Sequence, residues 1–83
     1  MTHQRYCTAE LKSIARTIAD MHYEDMSYLI GTLADMLSTD ADKDRAKNRI
    51  KLATACESAS VYLSNASTDL ERAMEISAPY MKE

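Results

Sequence analysis

One stretch constrains this chain more than any other. From the middle of the sequence onward, Leu52, Cys56, Ala59, Leu63, Ala66, Leu70, Ala73 and Ser77 follow one another at alternating spacings of four and three. A repeat of 3.5 residues sustained over that length marks one face of a long helix of the coiled-coil kind. No Gly or Pro interrupts it. Large and small residues alternate along the seam, Leu against Ala or Cys. The pattern predicts a partner helix at close range, with the leucines filling the space between.

The first half of the chain carries a similar but imperfect pattern. Leu11, Ala15, Ile18, His22, Met26, Leu29, Leu33 and Met36 form a seam with one doubled spacing of four at His22. Such a stutter locally unwinds a coiled coil without having to break it. No Gly or Pro lies nearby, so one helix is expected over about residues 8–37. Thr8 would be its N-cap, with Glu10 in the first turn, where the helix dipole favours a carboxylate. The alternative is a corner at His22–Asp25, with Glu24 or Asp25 near a new N-terminus. Gly31 is expected to mark close helix packing. The polar run from Ser38, rich in capping residues, predicts the loop at 38–43. A second helix is expected over about 44–78, ended by Pro79, because the residue before Pro is pushed out of the α region. A short C-terminal tail follows. Thr68 and Glu71 resemble a capping box, but the seam runs unbroken through them.

Two arms of similar length and one loop make a long helical hairpin in a single all-α domain. Both arms are wider than one interface can bury. Ile14, Met21, Ile30 and Leu37 flank the first seam, and Ile50, Ala55, Tyr62, Met74 and Ile76 flank the second. The hairpin is therefore expected to pair with a second copy as an antiparallel homodimeric four-helix bundle. Its rival is a compact three-helix monomer bent near His22–Asp25. Composition agrees with helix throughout, since the chain has one Gly, one Pro and no Trp or Phe. Two Cys in 83 residues do not make a disulfide scaffold. No basic stretch followed by an apolar core opens the sequence, so no signal peptide is expected, and no apolar run exceeds three residues, too short for a membrane span. A cytoplasmic protein is expected.

Chemistry-bearing residues are sparse. His3, Cys7, His22 and Cys56 are the only soft metal ligands, and they lack the close pairing that a zinc site needs. No metal or cofactor is expected. His22 beside Glu24 and Asp25 suggests a surface contact more than acid–base work, and the Glu-x-x-His signature of bundle di-metal sites is absent. The chain is not expected to be an enzyme. Met21, Met26 and Met36 are expected in the core, and Met74 and Met81 are candidates for an adhesive surface patch.

Charge is the most informative polar feature. The net charge is −3, which weighs against general nucleic-acid binding. Asp20, Glu24, Asp25, Asp35, Glu57, Glu71 and Glu75 spread acid over both arms and are the candidate partner-binding residues. They point to a small, non-enzymatic protein–protein interaction module, an adaptor, regulator or inhibitor that docks on a partner protein. A second hypothesis rests on Lys43, Arg45, Lys47, Arg49 and Lys51, a basic cluster suited to nucleic acid. Asp40, Asp42 and Asp44 lie among these cations and offset them.

Overall fold

The computed structural model describes residues 4–80, and the chain is helical nearly throughout. The first helix, α1, spans Thr8–Ala19; α2 spans Tyr23–Ala46; α3 spans Ile50–Ser77; and a single 3₁₀ turn, Ala78–Tyr80, ends the described chain. No strand occurs among the described residues. α2 and α3 lie antiparallel along each other as a hairpin, whereas α1 packs along neither. His3 and Met81 lie outside the described residues.

The first arm is broken, against expectation. α1 closes at Asp20, whose N–H donates to the Arg16 carbonyl, and the Met21 N–H reaches back to Ile18. His22 then adopts an extended conformation, and its Nδ1 accepts the Glu24 N–H at 3.2 Å. A histidine therefore supplies the cap of α2, and Glu24 and Asp25 follow in its first turn, where carboxylates favour the dipole. The stutter at His22 marks this break. At the start of α1, Cys7 is the N-cap and Thr8 the first helical residue. The Glu10 carboxylate turns back to accept the Cys7 N–H at 2.9 Å.

The loop lies later than composition suggests. Ser38 to Asp44 is the last part of α2, and the turn is Lys47–Arg49. Asn48 has a φ of 63°, the left-handed conformation that Asn tolerates better than most residues. The Arg49 N–H donates to the Asp44 carbonyl at 2.8 Å and the Asn48 N–H to Arg45 at 3.0 Å. That pair of bonds is a Schellman motif with Asn48 at its left-handed position. Polar residues filled the expected loop, but Ala41 within it is fully buried. Burial of Ala41, with Leu37, Asp40 and Asp44 half-buried around it, favours helix over loop in this stretch. α3 then runs without interruption to Ser77, through its Ser- and Thr-rich middle. Thr68 does not start a helix; its hydroxyl donates to the Ser64 carbonyl inside α3.

The hairpin closes on small residues. Ser27, Ala34 and Ala41 are the buried residues of α2, and Ala53 that of α3. Ser27 lies against Ser67: each hydroxyl donates to the other residue's carbonyl, at 2.9 and 2.8 Å. Seven residues on in α2 and seven back in α3, the Ser60 hydroxyl donates to the Ala34 carbonyl at 2.7 Å. A further seven steps bring Ala41 to the level of Ala53. Three layers of small side chains thus let the two backbones approach closely enough for a serine hydroxyl to reach the opposite main chain. Gly31 belongs to the same device, since a Cβ there would stand 3.0 Å from Ser67 Oγ.

The seam expected in α2 is one residue out of phase, and the seam expected in α3 is displaced by one residue at alternate positions. In α3 the contact row is Ala53, Cys56, Ser60, Leu63, Ser67, Leu70 and Met74, with Ser60 in place of Ala59 and Ser67 in place of Ala66. In α2 it is Ser27, Ile30, Ala34, Leu37 and Ala41, where Met26, Leu29, Leu33 and Met36 were expected. One residue is about 100° around a helix. Leu33, Met36, Leu52, Ala59 and Ala66 therefore lie on a broad side of the hairpin, while Cys56, Leu63 and Leu70 keep their expected places between its helices. Met36, placed in the core by its spacing, is 60% exposed. Met21, Met26 and Met74 are half-buried.

Candidate docking surfaces

Because both rows turn the same way, the hairpin has two unlike broad sides. One is apolar. It carries Leu33 and Met36 from α2 and Leu52, Ala59 and Ala66 from α3, all exposed, with Leu29, Leu37, Leu63 and Leu70 half-buried along its inner edge. The other is polar and forms an open groove of about 560 Å³ between the helices. Gly31 and Ser67 form its floor, because small residues there bring the helices together. Tyr28, Thr32, Ser64 and Thr68 line its walls. Tyr28 stands 78% exposed at the edge.

Three of the seven candidate acidic residues, Glu24, Asp35 and Glu71, line this groove. Among the described residues none of the three has a cation within ion-pair distance. The other candidates are dispersed. Asp20 pairs with Arg16 at the end of α1, and Glu57 pairs with Arg45 across the hairpin at 2.8 Å. Asp25 is an exposed first-turn residue of α2, and Glu75 lies near the end of α3, outside the groove. Sequence spacing alone could not join Glu24 and Asp35 to Glu71, since the hairpin register brings them together.

The basic cluster gathers at the turn and is partly neutralised there. Arg45 bridges Asp42 and Glu57, and Arg49 pairs with Asp44. Exposed pairs of this kind contribute about 0.2–1 kcal/mol each, but they do occupy the arginines. Lys43, Lys47 and Lys51 have no carboxylate within ion-pair distance among the described residues. Lys43 and Lys47 border a recess of about 210 Å³ with Leu37, Leu52 and Cys56 at the turn end of the apolar side.

Among the described residues the soft ligands are not assembled. Cys7 is exposed at the start of α1 and Cys56 half-buried on the hairpin, both as free thiols. His22 uses Nδ1 as a cap acceptor. Among the described residues no group of three or more His, Cys, Asp or Glu side chains is placed to hold a metal ion. No helix among them is long and apolar enough to cross a membrane. The Cys7 backbone N–H, and then the Cys7 side chain, hold the Glu10 carboxyl below the usual range.

The fold thus defines a two-helix hairpin with a separate amphipathic helix before it. No known protein family matches the chain, and no curated protein or solved structure is significantly similar to it.

Proposed function

We propose that the protein is a non-enzymatic helical interaction module, an adaptor, regulator or inhibitor of the cytoplasm that works as an antiparallel homodimer. Its acidic groove docks on a basic segment of a partner protein. The observation that carries this reading is the set Glu24, Asp35 and Glu71: three carboxylates without cations around one open groove. Elsewhere Asp20, Asp42, Asp44, Glu57 and Asp69 each have an arginine, while Asp25, Asp40 and Glu75, also without a cation among the described residues, are scattered outside the groove. A partner's lysine or arginine side chains would supply the missing charge, and Tyr28 offers an aromatic face beside them.

The test is affinity capture from the source cell after nuclease treatment, repeated with the Glu24→Gln, Asp35→Asn, Glu71→Gln triple variant. The expected result is a protein captured by the native chain and lost by the variant, with circular dichroism unchanged. Equal capture by both would reject the groove as the docking site. The second reading, nucleic-acid binding, draws support from the unpaired Lys43, Lys47 and Lys51. It predicts a gel shift that weakens steeply between low and moderate salt; the acidic module predicts no shift at either.

A further inference from the structure

The hairpin leaves its apolar side uncovered, and the chain as a whole exposes more surface than a compact chain of its mass. The chain exposes 6788 Å² at a mass of 9.3 kDa. A compact monomer of that mass exposes about 5,000 Å². Part of the excess, about 1,800 Å², belongs to α1, which is packed along neither long helix. Even half of it exceeds the roughly 800 Å² that each partner contributes to a standard interface.

We propose that the apolar side of the hairpin, centred on Leu33 and Leu63, is the seat of a second copy of this chain, stacked face to face and antiparallel. The proposal rests on the dimeric reading above and assigns its surface. Length separates this occupant from α1 folded back on its own hairpin. From Leu52 to Ala73 the face runs about 32 Å at 1.5 Å per residue, whereas the 12 residues of α1 span about 18 Å. Folding α1 back would also have to reshape the turn that the His22 cap closes. A second hairpin covers the whole face, because it presents the same face at the same length. It also leaves the acidic groove, on the opposite side, open to a partner.

Charge sets the direction. Stacked in parallel, the two copies would crowd Lys43, Lys47 and Lys51 of both chains at one end. Stacked antiparallel about Leu33, the two Lys43 residues stand about 30 Å apart along the axis, well beyond the screening length at physiological salt. Each lysine end then meets the end where the other copy presents Asp25, which has no cation partner among the described residues of its own chain.

Sedimentation equilibrium at micromolar to submillimolar concentration tests this on the full chain and two variants. Leu33 is 41% exposed on the apolar side, and Val61 is 54% exposed on the opposite side. The native chain should have twice its formula mass. Leu33→Glu should weaken the dimer by about a hundredfold or more, since a carboxylate would be buried without a partner. Val61→Glu should leave the mass unchanged. A native monomer would overturn both the proposal and the dimeric reading, leaving α1 or a different protein as the cover. A dimer that survives Leu33→Glu, or is lost in Val61→Glu, would overturn the face and leave the dimer standing. Should Leu33→Glu unfold, Leu33→Cys in a Cys7→Ser, Cys56→Ala background decides: it should oxidise to a covalent dimer, and absence of that cross-link rejects the face.

Discussion

α1 and the hairpin differ in an instructive way. α1 has the cleaner amphipathic pattern, with Leu11, Ile14 and Ile18 along one face, yet it packs along neither long helix, and Leu11 and Ile14 remain exposed. At the hairpin interface Ile30, Leu37, Cys56, Leu63 and Leu70 alternate with Ser27, Ala34, Ala41, Ala53, Ser60 and Ser67, small residues that a hydropathy pattern barely registers. Apolar periodicity tells a helix which side avoids water. It does not say which side meets the nearest helix. In α2 and α3 that choice falls to the small residues, because only they permit hydroxyl-to-carbonyl bonds between the two backbones. α1 has no such row and is held by local bonds at its ends.

The largest effect should come from filling the small seam. Ala34→Leu inserts three carbons where the Ser60 hydroxyl meets the Ala34 carbonyl. The expected loss is about 3 kcal/mol, from overpacking and a broken hydrogen bond. In a marginal chain this size that is a large share of the total. Thermal circular dichroism should show a much lower midpoint. An unchanged melt would mean that the interface is as loose as the α1 surface, and the contrast between the regions would fail.

A smaller effect sharpens the same point. Ser67→Ala removes a hydroxyl bonded across the interface and should cost about 1 kcal/mol. Gly31→Ala gains helix propensity of about 1 kcal/mol, but its Cβ would stand 3.0 Å from Ser67 Oγ. That oxygen is tied to the Ser27 carbonyl and can move only by weakening the bond. Gly31→Ala alone should therefore be close to neutral, and it should stabilise once Ser67→Ala has cleared the space. A double-mutant cycle by chemical denaturation reads the difference. Strict additivity would show that the two residues do not meet.

These small residues also explain how far the fold was legible. Helix throughout, a hairpin, and Cys56, Leu63 and Leu70 near the interface all follow from periodicity. The phase does not. Leu52, Ala59 and Ala66 outrank Ala53, Ser60 and Ser67 on any apolar scale, so periodicity alone predicts the stronger stripe as the contact. It is the broad side instead. The break at Asp20–His22 was visible only as a stutter, because no Gly or Pro marks it and the cap is an imidazole. Composition predicts the turn too early because the three aspartates that follow Ser38 outweigh Asn48, one residue able to adopt a positive φ. Asn48→Gly should be neutral or slightly stabilising and Asn48→Ala destabilising by about 1 kcal/mol, measured by the same denaturation. For the groove, acidity was legible, but the meeting of Glu24, Asp35 and Glu71 depends on a register that no local pattern encodes.

The smallest expected effect falls on α1. Glu10 is fully exposed, and its carboxylate accepts the Cys7 N–H at 2.9 Å. That bond favours the charged form, which lowers the folded pKa below its unfolded value. The sign follows by linkage: the contribution is complete above the unfolded carboxylate pKa and is lost as pH falls through the lower folded one. Near neutrality, acidification should change nothing at Glu10. In the acid range below the ordinary carboxylate value, the first turn of α1 should fray, as NMR amide shifts of Cys7 to Leu11 would record. Glu10→Gln should remove the step. The hairpin should keep its own shifts over this fraying, because α1 packs along neither of its helices. If Ala34 and Ser60 report the Glu10 titration as well, the two regions are coupled, and α1 is not the independent helix that the comparison requires.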